Sequence, residues 1–197
     1  MANAAVDLLT WAEWQAWAGV QPENPNVNQA QVALMITAAS RAFQREAGGR
    51  VFISAADAQE FAGHNGAIQQ LRYPPVASSP TPVIEYWNDT AWTAAAAASY
   101  PRQISLTTGE VRMTSGVFSR GLLWRITYTG GYSIATVPED IKGAVFDMVQ
   151  RARKRVEGKQ GIRSDARGNQ STSYDLAELM TDQIRKIAIG YKVIYNR

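Results

Sequence analysis

The chain has 197 residues, 46% of them apolar, and a formal charge of +3 at pH 7. That length allows one domain, or one domain with a large insertion, and the charge is too weak to assign a nucleic-acid partner by itself. The absence of cysteine excludes disulfides and thiolate metal sites.

The opening stretch, "MANAAVDLLTWAEWQAWAG", has no basic leader and contains Asp7 and Glu13, so no signal peptide is expected. Nor does any apolar run approach the roughly 18 residues needed to cross a bilayer, so no membrane partner is expected. Within that stretch Thr10-Trp11-Ala12-Glu13 fits a capping box and predicts a short helix from Trp11 to Ala18, stopped by Gly19. After the loop "QPENPNVN", a second helix is predicted over 28–47. Val32, Met35, Ile36, Ala39 and Phe43 recur at three- and four-residue steps, and Gly48 ends it.

From Arg50 to Tyr132 the pattern changes. "AIQQLRY", "PVIEYW", "RQISL", "EVRM" and "LLWRITY" are short, β-branched or aromatic runs separated by turn clusters. "GHNG", "WNDT" and "TTGE" predict hairpin turns. "AAAAAS" at 94–99 is a local helix former limited by Pro101, and is read as a loop or single turn. Helix resumes at Pro138, expected at the first helical position with Glu139 and Asp140 beside it. Ile141, Val145, Met148, Val149, Ala152 and Val156 share one face of about 100°. The next segment, 158–173, is polar and predicted to be a mobile loop. A last helix is predicted from Tyr174 to Ile189, closed by Gly190.

Chemical candidates are few. His64 is the lone histidine, and its setting between Gly63 and Asn65-Gly66 suits a turn better than a positioned base. No nucleophile elbow, phosphate loop or metal-ligand spacing occurs, so no catalytic residue, metal or cofactor is expected. Trp11, Trp14 and Trp17 read as packing residues, and Trp87, Trp92 and Trp124 as cross-strand partners.

Charge is concentrated instead. Seven cations (Arg151, Arg153, Lys154, Arg155, Lys159, Arg163 and Arg167) face two acids between 151 and 167. The helix dipole accounts for the first four. Cations continuing through a loop point to backbone contact with a polyanion, without the aromatic interleaving of single-strand binders. At the C-terminal end Tyr191, Val193 and Tyr195 alternate, which in an extended chain puts them on one side and predicts a docking element. The modest charge and the lack of a long apolar surface stripe predict a chain that is monomeric or weakly associated on its own.

Several stretches carry a resemblance. "MITAASRAFQREAGGRVF", a glycine-rich hairpin, "LRYPPV" and "ITYTGGYSIATVPEDIKGAVFDMV" resemble, in that order and over residues 28–157, the head–tail connector adaptor proteins of long-tailed phages. The resemblance implies an α+β fold, a mainly α-helical bundle with an inserted antiparallel β-rich region. The expected organisation is a single domain with helical framework 9–49 and 137–190, β-rich insertion 50–132 and tail 191–197. It further implies a non-enzymatic structural virion protein, assembled in the host cytoplasm. Such a protein forms a ring, typically a dodecamer, between the portal protein and a stopper or tail-completion protein, around packaged double-stranded DNA contacted non-specifically. In that setting the cations would line the DNA channel and the tail would dock on the portal, while Gly130-Gly131 would redirect the chain from sheet to helix. The residues alone also permit a cellular nucleic-acid-binding module, or a tail-associated carbohydrate-binding protein or enzyme.

Overall fold

The computed structural model describes residues 6–21, 27–160 and 180–192. Four α-helices occur among them: α1 (Trp11–Trp17), α2 (Gln29–Glu46), α3 (Glu139–Gln160) and α4 (Asp182–Gly190). So do seven strands: β1 (Ala55–Ala62), β2 (Ile68–Gln70), β3 (Val83–Trp87), β4 (Trp92–Ala94), β5 (Arg102–Ile104), β6 (Glu110–Met113) and β7 (Leu123–Gly130). They fall into two compact units, one helical and drawn from both sides of the β region, the other spanning Val51–Ser133.

Helix starts in the first unit are set by side-chain caps that satisfy orphan amides. Thr10 Oγ1 accepts from Glu13 N at 3.1 Å while Thr10 N donates to Glu13 Oε2 at 2.8 Å, completing the capping box. Asn28 caps α2 through Gln31 N, and Thr181 caps α4 through Ile184 N. Pro138 stands one place earlier than expected, just outside α3, with its carbonyl accepting from Lys142 N at 3.1 Å. Helix α2 packs against α3 and α4. Ile36, Phe43, Ile141, Val145, Met148 and Ile184 are buried. Two predicted boundaries shift. Helix α3 continues to Gln160 rather than giving way to a loop at Gly158, because a helix tolerates an isolated glycine at about 1 kcal/mol, at Gly158 as at Gly143. Helix α4 starts after Thr181, whose backbone is extended (φ −71°, ψ 164°), and the predicted start at Tyr174 lies outside the described residues.

The second unit contains two antiparallel sheets, ordered β1-β7-β3-β4 and β2-β6-β5. Strand β7 is the spine of the first, paired to β1 over Ala55↔Gly130 to Ala62↔Leu123 and to β3 over Val83↔Thr127 to Tyr86↔Trp124. One side of this sheet is buried, with Ile84, Trp124, Ile126 and Tyr128 joining Leu71, Val111, Met113 and Phe118 in a single core. "WNDT" and "TTGE" do close hairpins, with Asp89 at φ 73° and Gly109 at φ 70°. "GHNG" does not: it links β1 and β2, which belong to different sheets, and is pinned to the loop before β7 by Asn65 Oδ1 accepting from Arg120 N at 2.7 Å.

The expected mainly helical bundle with a β insertion is therefore corrected. The β region supplies seven strands in two antiparallel sheets and closes its own hydrophobic core, so it is a folded unit rather than an appendage of a bundle.

Candidate functional site

The expected site residues fall into two groups, both in the helical unit where they are described. On α3 the cations divide by helix face. Lys142, Phe146, Val149 and Arg153 recur at steps of three and four, forming a stripe towards α1. Lys142, with its side chain only 4% exposed, binds Glu13 at 2.6 Å, with Glu139 at 3.8 Å. The Trp17 ring meets Phe146 edge-on at 5.6 Å, and the Arg153 guanidinium lies 5.6 Å from the centre of the Trp14 ring. Arg153 thus spends its cation on its own fold.

Arg151, Lys154 and Arg155 are exposed. Arg151 has a long i,i+4 contact to Asp147 at 3.9 Å, which is worth little at a surface. Lys159 lies within the last turn of α3. Arg163 and Arg167 lie outside the described residues, as does the rest of the predicted mobile loop from 161 onwards.

Burial pushes the Glu13 carboxyl upwards. The Lys142 hydrogen bond and the Thr10 backbone and hydroxyl bonds outweigh it, so Glu13 ends below the ordinary glutamate range. Sequence reasoning missed Lys142. Its signal was available: an isolated lysine on the flank of an apolar helical face, in register with Phe146 and Arg153.

Tyr191 caps the end of α4. Its carbonyl accepts from Arg50 Nη1 at 2.8 Å, the Arg50 guanidinium lies 5.9 Å from its ring centre, and its hydroxyl donates to the Asp140 carboxylate at 2.9 Å. Val193 and Tyr195 lie outside the described residues.

The stretches that carried the resemblance converge in the β unit. Tyr132 N donates to the Phe52 carbonyl at 2.6 Å, and Gly131 N to the Pro75 carbonyl at 2.8 Å. Val76 bridges Gly130. "GRVF", "LRYPPV" and "YTGGY" therefore meet at the end of β7. Both glycines are required by this approach. A Cβ on Gly130 would collide with the Tyr73 carbonyl oxygen, and one on Gly131, at φ 103°, would sit 2.8 Å from the Phe52 carbonyl oxygen. Beneath the junction the Tyr128 hydroxyl donates to Asp57 Oδ2 at 3.0 Å and accepts from Tyr73 N at 3.2 Å. Arg72 completes the network by pairing with Asp57 at 3.3 Å. Burial, then the Asp57 charge and hydrogen bond, push the Tyr128 phenol far above its ordinary value, so it stays a neutral donor.

His64 is exposed, with Nε2 3.1 Å from the Ile68 carbonyl oxygen and its ring near Phe61 and Phe118. Trp87 and Trp92 face each other across the β3–β4 hairpin at 5.6 Å in an edge arrangement. Arg125 lies over Trp92 at 4.2 Å, so that ring is already occupied on one side. Among the described residues no group of three or more His, Cys, Asp or Glu side chains is arranged to hold a metal ion, and no helix is long and apolar enough to cross a membrane.

No family model and no curated protein matches this chain. Its fold does have solved counterparts. It is similar to a chain in the neck of an empty gene transfer agent (GTA) particle computed with C6 symmetry, at 17% identity and a TM-score of 0.57, covering 93% of this chain and 92% of that one. A chain in the virion of the native GTA particle is 18% identical with a TM-score of 0.56, over 91% and 90% of the two chains. A chain in the neck of the native GTA particle computed with C12 symmetry is 16% identical with a TM-score of 0.57, over 100% and 96%. At these identities the likeness is one of fold, and it runs through both units rather than one.

Proposed function

We propose that this chain is a structural neck protein of a phage-like particle: an adaptor ring bound to the portal protein on one side and to a stopper or tail-completion protein on the other. The observation that carries this reading is the likeness to the neck chain across 93% of this chain and 92% of that one, helical and β units together. Convergence of the three motif stretches on one junction supports it, because the resemblance then rests on a packed structure rather than on scattered words. The neck structures computed with C6 and C12 symmetry fit a ring of identical copies, a dodecamer in the twelvefold case. The role is non-enzymatic, and the chain works in the virion after assembly in the host cytoplasm.

In this reading Arg151, Lys154 and Arg155, continued by Lys159, Arg163 and Arg167, contribute positive potential to the channel for packaged double-stranded DNA. They contact phosphate without reading sequence. Tyr191 anchors the root of the tail to its own unit, and portal docking belongs to Val193 and Tyr195 beyond it.

Electron microscopy of the purified protein with and without its portal protein tests the proposal. A ring seated on the portal is expected. A protein that never joins the portal, at micromolar concentrations of both, overturns it.

A further inference from the structure

The four-stranded sheet has a second side. Opposite its buried face, alternate residues of β1, β7 and β3 point away from the core: Ala56, Ala58, Glu60 and Ala62, then Leu123, Arg125, Thr127 and Thr129, then Val83, Glu85 and Trp87. Val83 is 47% and Leu123 39% exposed. Six of these eleven are apolar, set among two threonines and three charged groups. Glu85 is neutralised by Arg125 at 2.8 Å, leaving Glu60 as the charge on this side with no ion pair among the described residues.

This face ends in an open edge. Gly63 N donates to the Leu122 carbonyl at 2.9 Å, which sets the phase of the β1–β7 ladder. The amides of Ala56, Ala58, Glu60 and Ala62 therefore point outwards, away from β7. Arg72 reaches the Ala58 carbonyl at 3.5 Å. Otherwise the outer edge of an eight-residue strand carries three alanines and one glutamate, with no proline or lysine to block another chain.

The helical unit presents a surface of opposite sign. Leu34, 72% exposed, shares a stripe of α2 with Arg41 and Arg45, which are exposed. On α4, Ile189 is 53% exposed one turn from Lys186, and Arg185 reaches Glu46 of α2 at 3.7 Å. Arg41, Arg45 and Lys186 have no acidic partner among the described residues.

A cyclic ring of identical subunits needs two different surfaces that fit each other, because each copy meets one neighbour with one face and the next with another. The outer sheet face, with Val83, Leu123 and Glu60, and the outer face of α2, with Leu34, Arg41 and Arg45, form such a pair. We infer that the outer sheet face of one copy, with its apolar side chains and Glu60, docks on the Leu34-Arg41-Arg45 face of α2 in the next, with Glu60 opposite Arg41 and Arg45. This inference rests on the ring reading above and names the contact that would build it.

Because the chain contains no cysteine, the test is clean. Ala62→Cys and Leu34→Cys are made singly and together in the full-length protein, with unchanged thermal melting as the folding control, since both positions are exposed. The proteins are then oxidised free and after mixing with portal, and run on non-reducing gels beside micrographs of the same samples. The double variant should give a ladder of covalent multimers, and each single variant should stay monomeric. Dimers of equal yield from a single variant would mean a two-fold contact and overturn the head-to-tail arrangement. A ring in the micrographs with no ladder overturns this contact while leaving the adaptor reading in place. No ring and no ladder overturns both. As a second measurement, Glu60→Lys should abolish the ladder, and adding Arg41→Glu with Arg45→Glu should restore it.

Discussion

The two units secure their buried polar groups in opposite ways. In the helical unit the Lys142 ammonium is withdrawn from water and relies on one short bond to Glu13, with Glu139 farther off. In the β unit the Tyr128 hydroxyl, Asp57, Arg72 and the Tyr73 amide share the load, and backbone bonds among Phe52, Pro75 and Gly131 lock the same place. A single strong pair is vulnerable to losing either partner, because the survivor stays buried and uncompensated. A distributed network with a neutral hydroxyl at its centre degrades in small steps, and fails badly only where backbone meets backbone. Both units rest on apolar cores; they differ in how a polar group inside them is compensated.

The largest effect tests packing. Gly130→Val would place side-chain atoms against the Tyr73 carbonyl and the Tyr128 ring. It should destabilise the β unit by about 3 kcal/mol or more, since overpacking against backbone leaves nothing to relax. Thermal denaturation followed by tryptophan fluorescence reads this, with Trp124 in that core. A wild-type transition would mean that the junction yields, and the contrast between the units would fail.

Next comes the single pair. Glu13→Gln keeps the shape but leaves Lys142 facing a neutral group, and should cost about 2 kcal/mol, less than a fully buried pair because Glu13 is partly exposed. The pH dependence follows from the lowered Glu13 value. A carboxylate with a depressed folded pKa stabilises above its unfolded value, and that contribution is lost as pH falls through the folded one. Wild type should therefore weaken on acidification below the ordinary glutamate range more steeply than Glu13→Gln. Parallel acid titrations of the two proteins would remove this pair from the account. Tyr128→Phe should cost less, about 1 kcal/mol, because Arg72 still pairs with Asp57 and one amide alone loses its acceptor.

How much of this was legible depended on how local the signal was. The starts of α1 and α2 could be read because Thr10, Glu13 and Asn28 satisfy amides three residues away. Strand β1 could not: "AADAQEFA" has helix-forming composition, and only pairing along its whole length with β7, more than sixty residues on, makes it extended. The role of "GHNG" failed for the same reason, since nothing local says that its flanking strands join different sheets. Of the basic segment, the density of charge was visible but its division was not. Whether a cation on α3 turns inwards depends on α1, which lies over a hundred residues earlier in the chain.

That division gives the smallest expected change in stability and the most direct functional probe. Arg153 and Lys154 are neighbours in sequence on different faces of α3. Arg153 stacks on Trp14, whereas Lys154 is exposed with no ion pair among the described residues. Arg153→Ala should lower stability by about 1 kcal/mol through lost packing and the lost cation–π contact. Lys154→Ala should stay within about 0.5 kcal/mol of wild type, as surface substitutions do. If the exposed cations serve a DNA channel, Lys154→Ala should reduce the slope of log affinity against log salt for random-sequence duplex by about one for each copy whose Lys154 touches phosphate, uniformly across sequences. Arg153→Ala should leave that slope unchanged, because its guanidinium is held over Trp14, off the face that carries Lys154. The comparison is made on assembled rings, where copies of Lys154 act together, with fluorescence anisotropy at several salt concentrations. Equal slopes for wild type and Lys154→Ala would assign the α3 cations to protein partners instead of DNA. A reduced slope for Arg153→Ala would mean that its stack on Trp14 opens when the ring meets phosphate.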